Sequence, residues 1–196
     1  MNFLAHQLLS FSQKHLMVGN FIADTLKGKS YQSLPKEIQE GVLLHRFIDD
    51  FTDTHPLMLQ GRKLLYPHFG KYAGVVQDVF CDYFLAKDWH EYHEKPLKEY
   101  VQYIYQVLAE AEEIFNERAL RTFQFMRQQN WLESYAHLSG IDQALSGLSR
   151  RASYQSNMEN SLPAMTEHGH DLELDFREFY PQLRNASMEQ LKKLRD

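Results

Sequence analysis

The chain has 196 residues, of which 43% are hydrophobic and 24% charged, a composition typical of one globular domain with its own core. The formal net charge of −5 argues against general nucleic-acid binding through a basic surface. The lone Cys81 cannot form an internal disulfide, no apolar run is long enough to span a bilayer, and the N-terminus lacks the basic region of a signal peptide. We therefore expect a cytoplasmic protein that binds neither nucleic acid nor membrane.

Apolar residues recur at helical spacing along the whole chain. The first half predicts helices over residues 3–11, 16–27, 35–53, 56–66 and 72–87. The second half predicts helices over residues 96–115, 119–129, 131–138, 141–151 and 163–179. We expect Pro67 and Pro181 to end helices, and the tail to Asp196 to be a short or frayed helix. A strand is the alternative for residues 75–80, but the absence of alternation favours a helix, so the sequence predicts one all-α domain over residues 1–196.

A polar pair lies beside the apolar stripe of the third predicted helix. The stripe consists of Gly41, Leu44, Ile48 and Phe51. His45 and Asp49 are four residues apart, so both project from one face of this helix, and Asp53 follows one turn later. An unpaired charge in a buried position costs roughly several kcal/mol. Either a divalent metal holds these side chains, or a hydrogen bond between His45 and Asp49 ties helices together.

Polar residues also interrupt apolar surroundings on the neighbouring predicted helices. The full set is His6, Asp24, His45, Asp49, Asp78 and Asp82. Imidazole and carboxylate ligands suit Mn²⁺, Fe²⁺ or Zn²⁺, and the share of carboxylates favours a harder ion such as Mn²⁺. Helical bundles build such centres from inward side chains on facing helices. Asp78 and Asp82 lie on one helix face and need a cation between them, for which Arg46 is the alternative to a metal.

Other catalytic signatures are weak. His170 and Asp171 form the only adjacent His–Asp pair, the signature of the HD phosphohydrolases, but charged neighbours surround them and a solvated helix face explains the pair better. The sequence has no Gly-rich phosphate loop, no Cys-x-x-Cys motif and no Gly-x-Ser-x-Gly elbow. It therefore argues against nucleotide-dependent kinase chemistry and against serine hydrolysis.

Several short motifs in a fixed order resemble one known family. They are Asn2-Phe3-Leu4-Ala5-His6, Gly19-Asn20-Phe21-Ile22-Ala23-Asp24, Leu44-His45-Arg46-Phe47-Ile48-Asp49 with Thr52-Asp53, Asp78-x-x-x-Asp82-x-Phe84-Leu85, Trp131 with Tyr135, and Gly147-Leu148-Ser149-Arg150-Arg151. The whole resembles the acyl carrier protein phosphodiesterases, also called acyl carrier protein hydrolases. The resemblance covers nearly the full chain, and the order and spacing of the motifs make it specific.

That resemblance implies an all-α fold distantly related to the HD phosphohydrolases. It also implies a Mn²⁺-dependent enzyme that removes 4′-phosphopantetheine from holo acyl carrier protein, with Fe²⁺, Mg²⁺ or Zn²⁺ as other candidate ions. The metal ligands that the motifs imply are Asp24, His45, Asp49 and Asp78, with His6 and Asp82 beside them. Tyr83 departs from the family pattern, which often has histidine after the second aspartate of the Asp-x-x-x-Asp pair.

The expected roles of the remaining residues follow from this reaction. Asp82 positions or deprotonates the attacking water, and Arg46 stabilises charge on the phosphoryl oxygens. His6 is the third candidate catalytic residue. Arg150 and Arg151 supply a local basic patch for the acidic carrier protein. Two alternatives remain open: an HD-like phosphohydrolase acting on a nucleotide or another small phosphate ester, and a non-enzymatic helical module whose polar positions form buried ion pairs.

Overall fold

The computed structural model describes residues 1–195, which form ten α-helices joined by turns and short 3₁₀ segments, with no β-strand among them. The helices are α1 (Phe3–Leu8), α2 (Lys14–Ile22), α3 (Lys36–Thr54), α4 (Pro56–Phe69), α5 (Ala73–Lys87), α6 (Leu97–Ala109), α7 (Glu117–Gln128), α8 (Trp131–Ser134), α9 (Leu138–Arg151) and α10 (Ser161–Arg195). The predicted all-α class is confirmed, and residues 75–80 are helical. Asp196, the last residue of the predicted tail, lies outside the described residues.

The two proline stops predicted from the sequence are wrong. α4 continues past Pro67 to Phe69, and α10 continues past Pro181 to Arg195. Proline inside a helix removes one backbone hydrogen bond and costs about 3 kcal/mol. Phe179, Tyr180 and Leu183 flank Pro181 and are all buried, so tertiary packing of this face holds the helix together where its local propensity is poor.

Two glycines set the close contact between α2 and α3. The Cα atoms of Gly19 and Gly41 face each other, and a Cβ on Gly41 would lie 2.6 Å from the carbonyl oxygen of Leu16 and 2.8 Å from the Cα of Gly19. Any larger side chain would force the helices apart. This approach brings Asn20, the residue after Gly19, opposite His45, one turn after Gly41. The packing of the two helices therefore positions the polar centre described below.

α1 is held at its N-terminus by α5. Asp82 of α5 is fully buried, and its carboxylate accepts hydrogen bonds from the backbone N–H groups of Leu4 at 2.7 Å and Ala5 at 3.2 Å. These two donors have no partner within the helix, so the carboxylate satisfies them. α10 packs across α3, α4, α5 and α9 and closes a single hydrophobic core. Within residues 1–195, no helix combines the length and the apolar character needed to cross a membrane.

Candidate metal centre

Two histidines and two carboxylates meet where α1 and α3 face the turn after α2. His6 Nε2 of α1 lies 3.1 Å from Asp49 Oδ1 of α3. His45 Nε2 lies 3.1 Å from Asp49 Oδ2 and 3.2 Å from Asp24 Oδ1. Asp24 belongs to a 3₁₀ turn, Ala23–Thr25, because α2 ends at Ile22 and does not reach Lys27 as predicted. Both histidines are buried, whereas the Asp24 side chain is 61% exposed, so the centre has one side open to solvent.

One amide orients both imidazole rings. Asn20 Nδ2 donates hydrogen bonds to the carbonyl oxygen of His6 at 2.9 Å and to Ser10 Oγ at 3.2 Å, which fixes the amide so that Oδ1 is its acceptor atom. Oδ1 lies 2.8 Å from Nδ1 of His6 and 2.9 Å from Nδ1 of His45. Both histidines therefore carry a proton on Nδ1 and direct Nε2 at the carboxylates. A hydrogen bond of this kind to the second ring nitrogen is typical of metal-binding histidines.

The charges of the centre are strongly coupled. Burial disfavours the charged form of His45, but hydrogen bonds to Asp24 and Asp49 outweigh this effect and raise its pKa to about 9. Burial and the neighbouring His45 lower the pKa of His6, although Asp49 opposes the change. Burial disfavours the charged form of Asp49 too, but hydrogen bonds from both histidines hold the pKa of its carboxyl well below the usual range.

The donor set fits a divalent cation. A neutral His6 with its proton on Nδ1 has a lone pair on Nε2, and that lone pair faces the Asp49 carboxylate at 3.1 Å. Two acceptors at this distance repel unless a proton or a metal ion lies between them. The candidate ligand atoms of His6, His45 and Asp49 all lie within 4.8 Å of one another. Two imidazoles with carboxylates suit Mn²⁺, Fe²⁺ or Zn²⁺.

The centre opens into a cleft of about 290 Å³, which we call the acidic cleft. Its charged lining residues are Asp24, His45, Asp49, Asp53 and Asp78. Asp78 Oδ1 accepts a hydrogen bond at 3.0 Å from the buried amino group of Met1. Burial lowers the pKa of this amino group, but the nearby carboxylates of Asp78 and Asp49 outweigh burial and raise the pKa to about 10. The cation beside Asp78 is thus this amino group, and the alternative in which Arg46 pairs with Asp78 and Asp82 is wrong.

Arg46 lies outside the acidic cleft, whereas Arg62 pairs with one of the residues that line it. Arg46 donates to the carbonyl oxygen of Gly28 at 2.7 Å, and its guanidinium lies over the ring of Tyr31, 4.7 Å from the centroid. It does not line the acidic cleft. Arg62 of α4 instead donates to Asp53 Oδ1 at 2.8 Å, and its buried Nε has no acceptor among residues 1–195. Arg62 is therefore the cationic side chain paired with Asp53, a residue that lines the acidic cleft.

Asp82 and Tyr83 lie away from the cleft. Both oxygens of Asp82 accept backbone N–H groups of α1, and burial raises the pKa of its carboxyl to about 7 although those hydrogen bonds lower it. This geometry gives Asp82 a role in anchoring α1 rather than one in contacting water in the cleft. Tyr83 packs against Phe84 and lies near the amino group of Lys87, so it contributes no side chain to the acidic cleft.

The remaining candidates are exposed. Arg150 and Arg151 end α9 and are solvent-exposed, as the sequence indicated, and Arg151 Nε donates to the carbonyl oxygen of Gly147 at 3.2 Å. Their contact with a partner stays a prediction. His170 and Asp171 are exposed on α10 and lie outside the acidic cleft, which confirms their interpretation as part of a solvated face.

Sequence reasoning missed two functional candidates in this region. Asn20 appeared only within the Gly19–Asp24 motif, and its place among apolar neighbours in the sequence was the available signal. Arg62 carried no signal beyond its charge, because its pairing with Asp53 depends on how α4 folds back on α3.

Comparison with known proteins places this geometry in a family. The family model described as acyl carrier protein phosphodiesterase matches residues 1–183. The chain belongs to the acyl carrier protein phosphodiesterase family. All the candidate residues described above lie within the matched range.

Curated members of the acyl carrier protein phosphodiesterase family match over almost their whole length. The protein of that name from Klebsiella pneumoniae (strain 342) is 31% identical over 184 residues, covering 93% of this chain and 95% of the relative. The Yersinia pestis protein is 30% identical over 193 residues, covering 97% of this chain and 100% of the relative. The Enterobacter sp. (strain 638) protein is 29% identical over 184 residues, covering 93% of this chain and 95% of the relative. No solved structure matches the chain significantly, so the relationship to the HD phosphohydrolases stays a prediction.

Proposed function

We propose that this protein is a metal-dependent phosphodiesterase that removes 4′-phosphopantetheine from holo acyl carrier protein. The observation that carries the metal dependence is the pair of imidazoles, both oriented by Asn20 Oδ1, whose Nε2 atoms point at Asp49 and Asp24. The names of the relatives support the substrate. Together they favour hydrolysis of the phosphodiester that joins a serine of the carrier protein to the pantetheine arm.

The metal would be held by His6, His45, Asp49 and Asp24, with Asp78 at the same cleft as a further ligand. When bound, a divalent ion supplies a Lewis acid that polarises a phosphoryl oxygen and lowers the pKa of water beside it. His6 therefore takes the place of a ligand in this proposal rather than that of a separate catalytic group. Mn²⁺ is the ion we expect, because carboxylates outnumber imidazoles.

The protein's own groups bind and orient the phosphodiester. A water oxygen forms a bond to phosphorus and the bond from phosphorus to the serine oxygen breaks. The proton that the water loses is balanced by the one that the serine oxygen takes up, and the phosphate stays on pantetheine. Arg62, which pairs with Asp53 of the cleft lining, is the side chain that would stabilise charge on the phosphoryl oxygens. Asp82 supports the site by anchoring α1, the helix that carries His6.

Mass spectrometry of holo acyl carrier protein tests the proposal directly. Purified protein is stripped with a chelator and incubated with the carrier, with and without added Mn²⁺. We expect loss of one phosphopantetheine group from the carrier only when Mn²⁺ is present, and no loss with His45→Ala. Release by a metal-free preparation contradicts the metal dependence. Turnover of nucleotides without release of pantetheine favours an HD-like phosphohydrolase, and failure to bind metal or to hydrolyse either substrate favours a non-enzymatic helical module.

A further inference from the structure

An apolar cavity of about 340 Å³ lies beside the acidic cleft, between the N-terminal residues and helices α7, α8 and α9. Much of its wall is apolar or aromatic, from Phe3, Trp131, Tyr135, Ala144, Gly147 and Leu148. Polar side chains at intervals, Gln129, Ser134 and Gln143, add hydrogen-bonding groups. A concave, mostly apolar space of this size with a few polar groups is typical of a small-molecule site.

The cavity adjoins the acidic cleft of the candidate metal centre. Asn2 and Leu148 line both the cavity and the acidic cleft. Asn2 Nδ2 donates to the hydroxyl of Tyr135 at 3.2 Å, and the ring of Phe3 lies 6.4 Å from that of Trp131. Asn2, one of the two residues shared by the cavity and the cleft, is thus held in position by Tyr135. A ligand with its phosphate in the cleft would have the adjoining cavity beside it for its remaining length.

We infer that this cavity binds the pantetheine arm of the substrate, an inference that rests on the proposed function. The arm carries a gem-dimethyl group and methylene units, which suit the walls formed by Leu148, Ala144 and Trp131. Its two amides and its hydroxyl need hydrogen-bond partners, which Gln129, Gln143 and Ser134 supply. The exposed Arg150 and Arg151 lie at the rim, on the side from which the carrier protein would present the arm.

Gly147 offers a way to fill the cavity without disturbing the fold. A Cβ on Gly147 would meet only an Nη atom of Arg150, at 3.8 Å, and no backbone atom. Gly147 lies inside α9, so alanine there favours the helix. Gly147→Phe places a ring in the cavity, and Gly147→Ala is the matched control that keeps the cavity open.

The first test measures binding of free 4′-phosphopantetheine, with the fluorescence of Trp131 as the readout. The other tryptophan, Trp89, is buried against His93 and Tyr100, so a ligand in the cavity changes the emission of Trp131, and Trp131→Phe should abolish the signal. We expect saturable binding to the Mn²⁺-loaded wild type and to Gly147→Ala. The affinity of Gly147→Phe should be weaker than that of the wild type by roughly tenfold or more. Equal affinity for Gly147→Phe, or no signal in the wild type, overturns the inference.

The second test separates the cavity from the chemistry. Gly147→Phe should lower kcat/KM for holo acyl carrier protein by roughly tenfold or more, while hydrolysis of bis(p-nitrophenyl) phosphate, which has no pantetheine arm, stays at the wild-type rate. An equal loss on both substrates overturns the cavity assignment. A wild type that binds phosphopantetheine but hydrolyses neither ester refutes the proposed function alone. Competition by a nucleoside monophosphate but not by pantetheine assigns the cavity to a nucleotide and also overturns the inference.

Discussion

The imidazole rings of His6 and His45 stack with their centroids 4.2 Å apart and their planes inclined by 23°. Two positively charged rings would repel strongly at this distance, so the pair carries at most one positive charge in the folded protein. The low pKa of His6 and the raised pKa of His45, about 9, agree with one neutral and one charged ring. A divalent ion bound to both Nε2 atoms would replace that proton, so in the proposed metal site the stacked pair supplies the two imidazole ligands.

Substitution of Asn20 should weaken metal binding although Asn20 touches no metal. We expect Asn20→Leu to lower Mn²⁺ affinity by about 10- to 100-fold, because neither ring keeps its Nδ1 partner. Asn20→Asp retains an acceptor oxygen for both rings and should keep more of the affinity than Asn20→Leu. Isothermal titration of the metal-free proteins with Mn²⁺ measures this difference. Equal affinities for wild type and Asn20→Leu would show that the amide does not orient the ligands.

The ligand assignment predicts loss of metal from single variants that remain folded. Asp24→Ala, His45→Ala and Asp78→Ala should each lose most of their Mn²⁺ and most of the activity. Asp50→Ala is the matched control, because Asp50 is the exposed carboxylate next to Asp49 in sequence and does not line the cleft. Metal analysis and circular dichroism give the two readouts. If the first three variants unfold and the wild type binds no metal, these polar residues are buried ion pairs with no ligand role.

The sequence predicted much of this architecture, and its errors have physical causes. Helical spacing identified His45 and Asp49 because residues four apart share a face. Arg46 was misassigned since adjacent residues point about 100° apart around a helix, which directs its side chain to Gly28 and Tyr31. The role of Asn20 depends on the close approach of two helices, and no local pattern reports how two helices pack.

Arg62 and Arg46 should differ in their effect on catalysis. We expect Arg62→Gln to lower kcat/KM by roughly 100-fold, because it removes the cation paired with Asp53 of the cleft lining. Arg46→Gln should change kcat/KM by less than about threefold, since its guanidinium is engaged by Gly28 and Tyr31. Steady-state kinetics with holo acyl carrier protein and Mn²⁺ measure both. A larger loss for Arg46→Gln would return the phosphoryl-stabilising role to Arg46.

Asp82 should affect stability in a pH-dependent way. Burial raises its folded-state pKa from 3.8 to about 7, so the folded state binds its proton more tightly than the unfolded state does. The contribution of Asp82 is therefore fully present below about pH 4 and is lost as pH rises through about 7. Asp82→Asn removes this titration. The unfolding free energy of the metal-free wild type should therefore fall, relative to that of the variant, as the pH rises over that range.

Urea denaturation at a series of pH values, in the presence of a chelator, measures that difference. A constant difference from pH 4 to pH 7 would contradict the assigned titration of Asp82. The same variant separates the structural role from a catalytic one. An anchoring Asp82 predicts that folded, Mn²⁺-loaded Asp82→Asn keeps most of its kcat, whereas a general base at this position predicts a loss of about 100-fold or more.

Arg150 and Arg151 should promote association with the acidic carrier protein. The chain is itself net negative, so docking of an acidic helix needs a local basic patch, and these exposed residues lie at the rim of the cavity. We expect the double variant Arg150→Ala, Arg151→Ala to raise KM for holo carrier protein at low salt, and the rise to shrink with added salt as charges are screened. Lys192→Ala, Lys193→Ala is the control, an exposed basic pair at the end of α10.

Two further measurements assign the cause of that change. Metal content should be unaltered, because neither arginine lines the acidic cleft. Affinity for free 4′-phosphopantetheine should also be unaltered if the arginines contact the carrier rather than the arm. The alternative is that both cations only stabilise the C-terminus of α9, an effect of a few tenths of a kcal/mol, roughly. An unchanged KM at low salt would favour that alternative and would remove these residues from the docking surface.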